Sequence, residues 1–407
     1  MLYRGYQLGS DLMAPARLFA ATAGKVHDAL PDAITDNALV KRYFALWEVF
    51  RGTALTHTRP AYGIDEVTCG NARVQVVEEV AEDWPFGNLL HFAKPDVQTP
   101  QPKMLVVAPL SGHFATLLRS TVQTLLADHD VYILDWKNAR DVPVSEGDFG
   151  FDDYVDYIIS GMQHLGPGAH MFAVCQPCVP ALVATALMAE DRDPSEPRTL
   201  TLLGGPVDTR VSPTVVNDLA NSKPYSWFER NLIAKVPLRY RGRGRRVYPG
   251  FLQLTAFMSM NSERHWDQHR KLYTHIVEDE EEPARKIQEF YEEYFAVLDL
   301  TAEFYLETID KVFQRTLLAR GELMYRDERK IDCNAIQRTA ILTVEGERDD
   351  ICAVGQTAAA HTLCGRLRPH LKRHYLQPGV GHYGIFAGSK WEKQVYPQVR
   401  NIVLAMS

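Results

Sequence analysis

Cysteine is scarce in this sequence: six in 407 residues (Cys69, Cys175, Cys178, Cys333, Cys352 and Cys364), at no repeating interval. That argues against a disulfide-built scaffold and points to a reducing, cytoplasmic compartment. No apolar stretch reaches the about 18 uninterrupted residues of a membrane helix, so no transmembrane segment is expected. The first residues also lack a basic segment followed by an apolar run and a small-residue cleavage site, so no secretory leader is read. Positive charge is in deficit too, and a formal net charge of −7 gives no reason to expect nucleic-acid binding. Cys175 and Cys178 spell C-x-x-C without the second pair that a zinc site needs, and the surrounding pattern is not a small thioredoxin-like unit. His265 and His269 stand four apart but lack the glutamate of a zinc-protease helix. The expectation is therefore no metal and no cofactor.

What is present is 46% apolar and 23% charged residues, the balance of an ordinary globular chain. Residues 1 to about 60 read as helical, with Leu39, Tyr43, Leu46, Trp47 and Phe50 on one apolar face. Around 72–92, Val74, Val76, Val77 and Val80, then Leu89, Leu90 and Phe92, suggest antiparallel edge strands. From Met104 the pattern becomes short apolar strands alternating with helices: Met104–Ala108, a helix over 116–126, Val131–Trp136, a helix over 151–165, Ala169–Val174, a helix over 179–189, and Leu200–Leu203. Such alternation indicates right-handed βαβ units and a parallel sheet covered on both faces. It then stops. Residues 207–333 read as helical and aromatic, with no buried strand. The alternation resumes at Thr339–Glu345, continues through a helix over 355–363 and a strand over 370–376, and closes with a helix over 391–405. The expected architecture is an α/β core of residues 1–206 and 334–407, opened by a helical extension, with 207–333 inserted as a helical cap. Within that block lie five arginines in Arg239–Arg246, read first as a solvated loop, and an acidic run, Glu278–Glu282, suited to the first turn of a helix.

The chemistry is concentrated at Phe172–Pro180. A buried strand ends abruptly at Cys175 and a helix follows, the layout of a nucleophile elbow. The usual serine is replaced by Cys175, and the usual flanking glycines by Ala173 and Pro177. A thiol nucleophile needs a base to take its proton and an acid to orient that base. In α/β-hydrolases these follow in the order nucleophile, acid, histidine. After the strand ending at Val344 comes Glu345-Gly-Glu-Arg-Asp-Asp-Ile351, which points to Asp349, with Asp350 as the adjacent competitor. Gly379-Val-Gly-His-Tyr-Gly384 supplies His382 just before the last helix. The oxyanion hole requires two backbone N–H groups. One is that of Gln176, and the other comes from the loop Pro109–His113, with Leu110 and Ser111 as candidates. His113 precedes the nucleophile and is placed at the rim of the site, among the substrate-binding residues.

These segments, with Ala108-Pro-Leu-Ser-Gly-His113, Gly204-Gly-Pro-Val-Asp208, Arg245-Arg-Val-Tyr-Pro-Gly-Phe251 and Gly381-His-Tyr-Gly-Ile-Phe386, give a chain that resembles the intracellular poly-3-hydroxybutyrate depolymerases. The resemblance implies an α/β-hydrolase fold with a mostly parallel sheet and an inserted helical cap. It implies cleavage of amorphous storage polyester to (R)-3-hydroxybutyrate or short oligomers, with Cys175 as nucleophile, Asp349 as acid and His382 as base. Coenzyme A could replace water as acceptor. Cys178 is then a helix residue, and Arg245 and Arg246 line the path of the polymer's carboxylate end. The partner implied is the cytoplasmic polyester granule, with a homo-oligomer left open. A polyhydroxyalkanoate synthase, a non-catalytic granule-coat protein and a generic thioesterase are the rival readings.

Overall fold

The buried apolar runs of the sequence become neighbouring strands of one eight-stranded sheet. The structure, a computed structural model, describes residues 2–28, 30–35, 37–260 and 262–407. The sheet strands in chain order are β1 (Val77–Asp83), β2 (Gly87–Ala93), β3 (Lys103–Val107), β4 (Asp130–Trp136), β5 (His170–Val174), β6 (Thr199–Leu203), β7 (Ala340–Gly346) and β8 (Lys372–Gln377). Across the sheet they stand β1-β2-β4-β3-β5-β6-β7-β8. β2 pairs antiparallel with β1 and β4, and every other pairing is parallel. That order and sense, with helices connecting the parallel strands, is the α/β-hydrolase fold. The central strands β5, β6 and β7 are buried at every position, as parallel strands covered on both faces must be. The outer strand β1 is exposed at nearly every position and carries Glu78, Glu79, Glu82 and Asp83, charges that discourage edge-to-edge pairing.

The longer helices include α1 (Leu2–Asp28), α2 (Ala38–Gly52), α3 (Phe151–Leu165), α4 (Cys178–Glu190), α5 (Ser262–Val277), α6 (Glu281–Tyr294) and α7 (Tyr396–Met406). α4 is buried all round from Cys178 to Met188, which suits a helix that is apolar on every face. α6 begins with Glu281 and Glu282 in its first turn, where acids complement the helix dipole.

Three sequence expectations differ from the structure. Val74 belongs to a separate two-stranded hairpin, Glu66–Cys69 with Ala72–Gln75, and not to the main sheet. The segment over 207–333 is not purely helical. It contains a three-stranded sheet of Ala234–Lys235, Arg246–Tyr248 and Leu300–Thr301 and a hairpin of Met324–Tyr325 with Arg329–Lys330. Strands of two or three residues are too short to show a period of two. Finally, the helix expected over 355–363 is only Ala360–Leu363. The buried Glu345 carboxylate draws the N–H groups of Gly355, Thr357 and Ala358 at 2.8–2.9 Å and fixes that stretch as turns.

Register places the site. Val107 lies beside Ala173, Val174 beside Leu203, and Leu203 beside Val344. The carboxyl ends of β3, β5, β6 and β7 are thus level, so the loops that follow them meet at one edge of the sheet, where α/β folds bind ligands.

Candidate active site

β5 stops at Val174, and Cys175 turns to φ 67°, a left-handed conformation uncommon for a residue with a Cβ. Such a backbone costs about 1–3 kcal/mol and persists only where its surroundings enforce it. Here Cys175 N–H donates to Leu203 O at 2.7 Å and Cys178 N–H donates to Cys175 O at 3.1 Å. The elbow leaves Cys175 half-buried and Cys178 fully buried. The Cys178 Sγ faces the carbonyls of Ala173 and Leu203, 3.4 and 3.7 Å away. Cys178 is therefore packed under the turn rather than presented on it.

The two glycines after β6 are required by this packing. A Cβ on Gly205 would sit 2.1 Å from the Cys178 Cβ and 2.3 Å from its Sγ. Gly204, at φ 55°, could carry no side chain without placing it 2.8 Å from Ile385 and 3.1 Å from the His382 ring.

His382 lies in the turn after β8 and is buried. Its Nδ1–H donates to Asp349 Oδ2 at 2.7 Å. Asp349 Oδ1 accepts the N–H groups of Ile351 and Cys352 at 2.9 and 2.8 Å, which fixes the carboxylate. Asp350 is exposed, so the choice between the two aspartates falls on Asp349. Burial by itself would lower the His382 pKa. The charges of Asp349 and Cys175, with hydrogen bonds to both, instead hold it well above the ordinary 6.5. With Nδ1 committed to Asp349, Nε2 is the nitrogen left for the Cys175 thiol. A thiol, an imidazole and a carboxylate that the sequence separates by some two hundred positions are thus brought to one edge of the sheet.

The loop Pro109–His113 stands beside these groups. Its anchor is Ala108 O, which accepts the indole N–H of Trp136 at 2.8 Å and the Tyr154 hydroxyl at 2.6 Å. Of the two donors proposed from this loop, Leu110 is corrected: its N–H already donates to Gln176 Oε1 at 3.3 Å. The N–H groups of Ser111 and Gln176 make no hydrogen bond to any described residue, and these two remain available for an oxyanion.

The substrate-binding expectations are also corrected. His113 is not at the rim but buried, its Nε2–H donating to Tyr294 O at 3.1 Å and its ring packed on Tyr294. Burial lowers its pKa to about 4, so it is neutral. Arg245 is buried in a cage of carbonyls, donating to Val142, Gly147 and Pro143 at 3.1, 2.8 and 2.5 Å, with the Phe86 ring beneath its guanidinium. It ties the Arg239–Arg246 loop to the loop after β4 and has no face turned to a substrate. Arg246 pairs with Glu229 at 2.7 Å, both side chains being exposed. His265 and His269 are taken up in packing. His265 bonds the Tyr291 hydroxyl, and His269 Nδ1–H donates to His265 O.

Sequence reasoning gave no role to the Gly204–Gly205 pair or to the Gln176 side chain. Two glycines directly after a buried strand are a readable sign of close approach. The Gln176 contact has no sequence signal, since it links positions 66 residues apart.

Residues 204–407 match the family described as PHB de-polymerase C-terminus. No protein of curated function matches the chain. Among solved structures, it is similar to an alpha/beta hydrolase, GrgF, from Penicillium sp. sh18, at 12% identity over 82% of this chain and 99% of that one, with a TM-score of 0.47. A 2-hydroxy-6-oxo-6-phenylhexa-2,4-dienoate hydrolase from Rhodococcus sp. strain RHA1 shares 13% identity over 81% and 99%, with a TM-score of 0.42. A monoacylglycerol lipase from Paleococcus ferrophilus shares 12% over 76% and 97%, with a TM-score of 0.41.

Proposed function

We propose that this chain, which belongs to the PHB depolymerase family, cleaves poly-3-hydroxybutyrate through a thioester on Cys175. Family and fold together make it an ester hydrolase; the polyester substrate, the cysteine nucleophile and granule association are the proposal. The observation that carries it is the elbow. A thiol stands at a strained strand-to-helix turn, and its charge helps raise the pKa of a buried histidine whose Nδ1 is held by a buried aspartate.

In the proposed mechanism His382 Nε2 takes the Cys175 proton, and the thiolate attacks an ester carbonyl carbon of the polymer. The oxyanion that forms is held by the N–H groups of Gln176 and Ser111, which are fixed in advance and need no reorganisation. Collapse breaks the C–O bond, and the departing alcohol takes the proton from the imidazolium. Water, deprotonated by the now neutral His382, then attacks the thioester. The acid leaves, and the thiolate recovers its proton. Coenzyme A in place of water would yield the acyl thioester instead.

Residues 207–333, which leave the sheet after β6 and return at β7, act in this reading as the cap over the site. Support comes from their last stretch: Leu298 N–H donates to Gly112 O at 3.0 Å, and Phe290 packs on Tyr383 beside the histidine. Among the described residues no helix is long and apolar enough to cross a membrane.

The test is release of 3-hydroxybutyrate or its oligomers from amorphous granules, identified by mass, by the parent and by Cys175→Ala. Release by the parent and a loss of about 10³-fold or more in the variant are expected. Retained activity in the variant would overturn the assignment of the nucleophile. Polymer formation from 3-hydroxybutyryl-coenzyme A would transfer the reading to a synthase.

A further inference from the structure

α2 carries its apolar side chains on the outside. Leu39, Tyr43 and Leu46 recur at helical spacing, which puts them on one face. They are 75%, 49% and 60% exposed, whereas Ala45 on the other side is buried. Leu8, Leu12 and Phe19 of α1 are exposed as well. Nine of the twenty-one exposed large apolar side chains among the described residues fall within the first 52 positions. Exposure is therefore concentrated here, unlike the scattered surface leucines that need no explanation.

Between α2 and α5 this face opens into a groove of about 620 Å³ that Leu46, Val49, Trp266 and Tyr273 line. Trp266 is 79% exposed. Of the charges around this face, Lys41 pairs with Asp279 and Arg51 with Glu48, Arg42 is exposed, and the groove wall sets Glu263 and Asp267 against Arg270, so no net positive charge gathers here. The face therefore has little to offer an anionic membrane or a nucleic acid. Ring packing through the buried Tyr291 also links the groove wall to the loop of His382. His269, in the groove wall, packs on Tyr291 at 4.2 Å, and Tyr291 contacts Phe290 and Tyr294. Phe290 then reaches Tyr383, next to His382.

Resting on the polyester reading of the active site, we propose that this face of α1 and α2, with Trp266 of α5, is where the protein docks on the surface of its insoluble substrate. The occupant is an amorphous poly-3-hydroxybutyrate surface: uncharged, rich in methyl and methylene groups, and lined with ester carbonyls. Leucine and tyrosine side chains bury against the former, while an indole places an apolar body beside a donor N–H.

The test uses the full chain and the triple variant Leu39→Gln, Leu46→Gln, Trp266→Gln. These side chains are exposed and lie outside the catalytic relay, so folding is retained. Co-sedimentation with amorphous poly-3-hydroxybutyrate granules and turnover of a soluble ester of 3-hydroxybutyrate are measured side by side. The variant is expected to lose about tenfold or more in granule partition and in initial granule degradation, with soluble-ester turnover unchanged. Unaltered granule partition in a variant of an active parent overturns the docking surface and leaves the polyester reading standing. A parent that turns over the soluble ester but neither binds nor degrades granules overturns both. A parent dimer that falls apart in the variant while granule partition is retained assigns the face to a second copy of the chain, and the proposal fails.

Discussion

Cys175 pays for its φ of 67° with strain, and the surrounding residues show what supports it. The turn is held by Leu203 O on one side and by the first turn of α4 on the other, with Cys178 sealed beneath Gly205. That seal leads to a prediction. Gly205→Ala forces a methyl to within 2.1 Å of the Cys178 Cβ, and because the neighbour is the base of a side chain on a buried helix it cannot swing away. A loss of about 1–3 kcal/mol in denaturant unfolding is expected, with a further loss of activity as the elbow shifts. Wild-type stability in that variant would show that the turn is looser than described. At this scale the relay was legible because order, spacing and context agreed at three separate places. Arg245 was misread for an equally physical reason. Its partners are backbone carbonyls about a hundred positions away, which leave no mark on residue type.

Among the elements, the parallel strands were legible because strands buried on both faces read as plain apolar runs bounded by turns. The stretch after β7 was not, because one side chain governs it. Glu345 is fully buried, and its two oxygens accept three backbone N–H groups from residues 355–358. Glu345→Gln keeps the shape but turns an NH₂ toward at least one of those donors. Loss of one charge-assisted acceptor is worth about 1.5–3 kcal/mol, so a stability deficit of that order is expected by thermal or denaturant unfolding. Hydrogen exchange of the Gly355, Thr357 and Ala358 amides should rise with it. Unchanged exchange would mean that the carboxylate does not organise the segment. The α2 face was also legible as a face, but its direction was not. Periodicity reports which residues share a side and is silent on whether that side meets protein or solvent.

For the molecule as a whole, burial of histidines sets the response to acid. Five of them are pushed below the ordinary 6.5 chiefly by burial: His57 to about 3, and His113, His129, His170 and His361 to about 4. As pH falls from 6.5 toward 4 the unfolded chain takes up these protons and the folded one does not, so stability is lost over that window. Asp135 and Asp299 work in the opposite sense, since burial raises each to about 6 and the folded form binds their protons first. Asp141, Asp152, Glu293 and Glu303 are raised by burial as well, though less far, and the five imidazoles, displaced to about 4 or below, still leave a net loss. His382 adds to it nothing of the same sign. Its raised pKa contributes stability that is complete below 6.5 and fades as pH rises through the folded value. Unfolding midpoints are therefore expected to fall as pH is lowered from about 6.5 to 4. The difference between the parent and His382→Gln should be largest at the acid end of its folded range and shrink toward alkaline pH. A midpoint flat across the acid window would contradict the neutral, buried state of these histidines.

The central claim is that the acyl group passes through Cys175. The most direct measurement is an acid quench during turnover of a soluble 3-hydroxybutyrate oligomer by Asp349→Asn, followed by peptide mass mapping. That variant keeps the thiol but leaves His382 without the acid that orients it, so deacylation is slowed. The account predicts a hydroxyacyl adduct on the peptide containing Cys175, localised to that residue and cleaved by hydroxylamine as a thioester is. An adduct on Cys178 or on any serine, or turnover with Cys175 demonstrably alkylated, would contradict it.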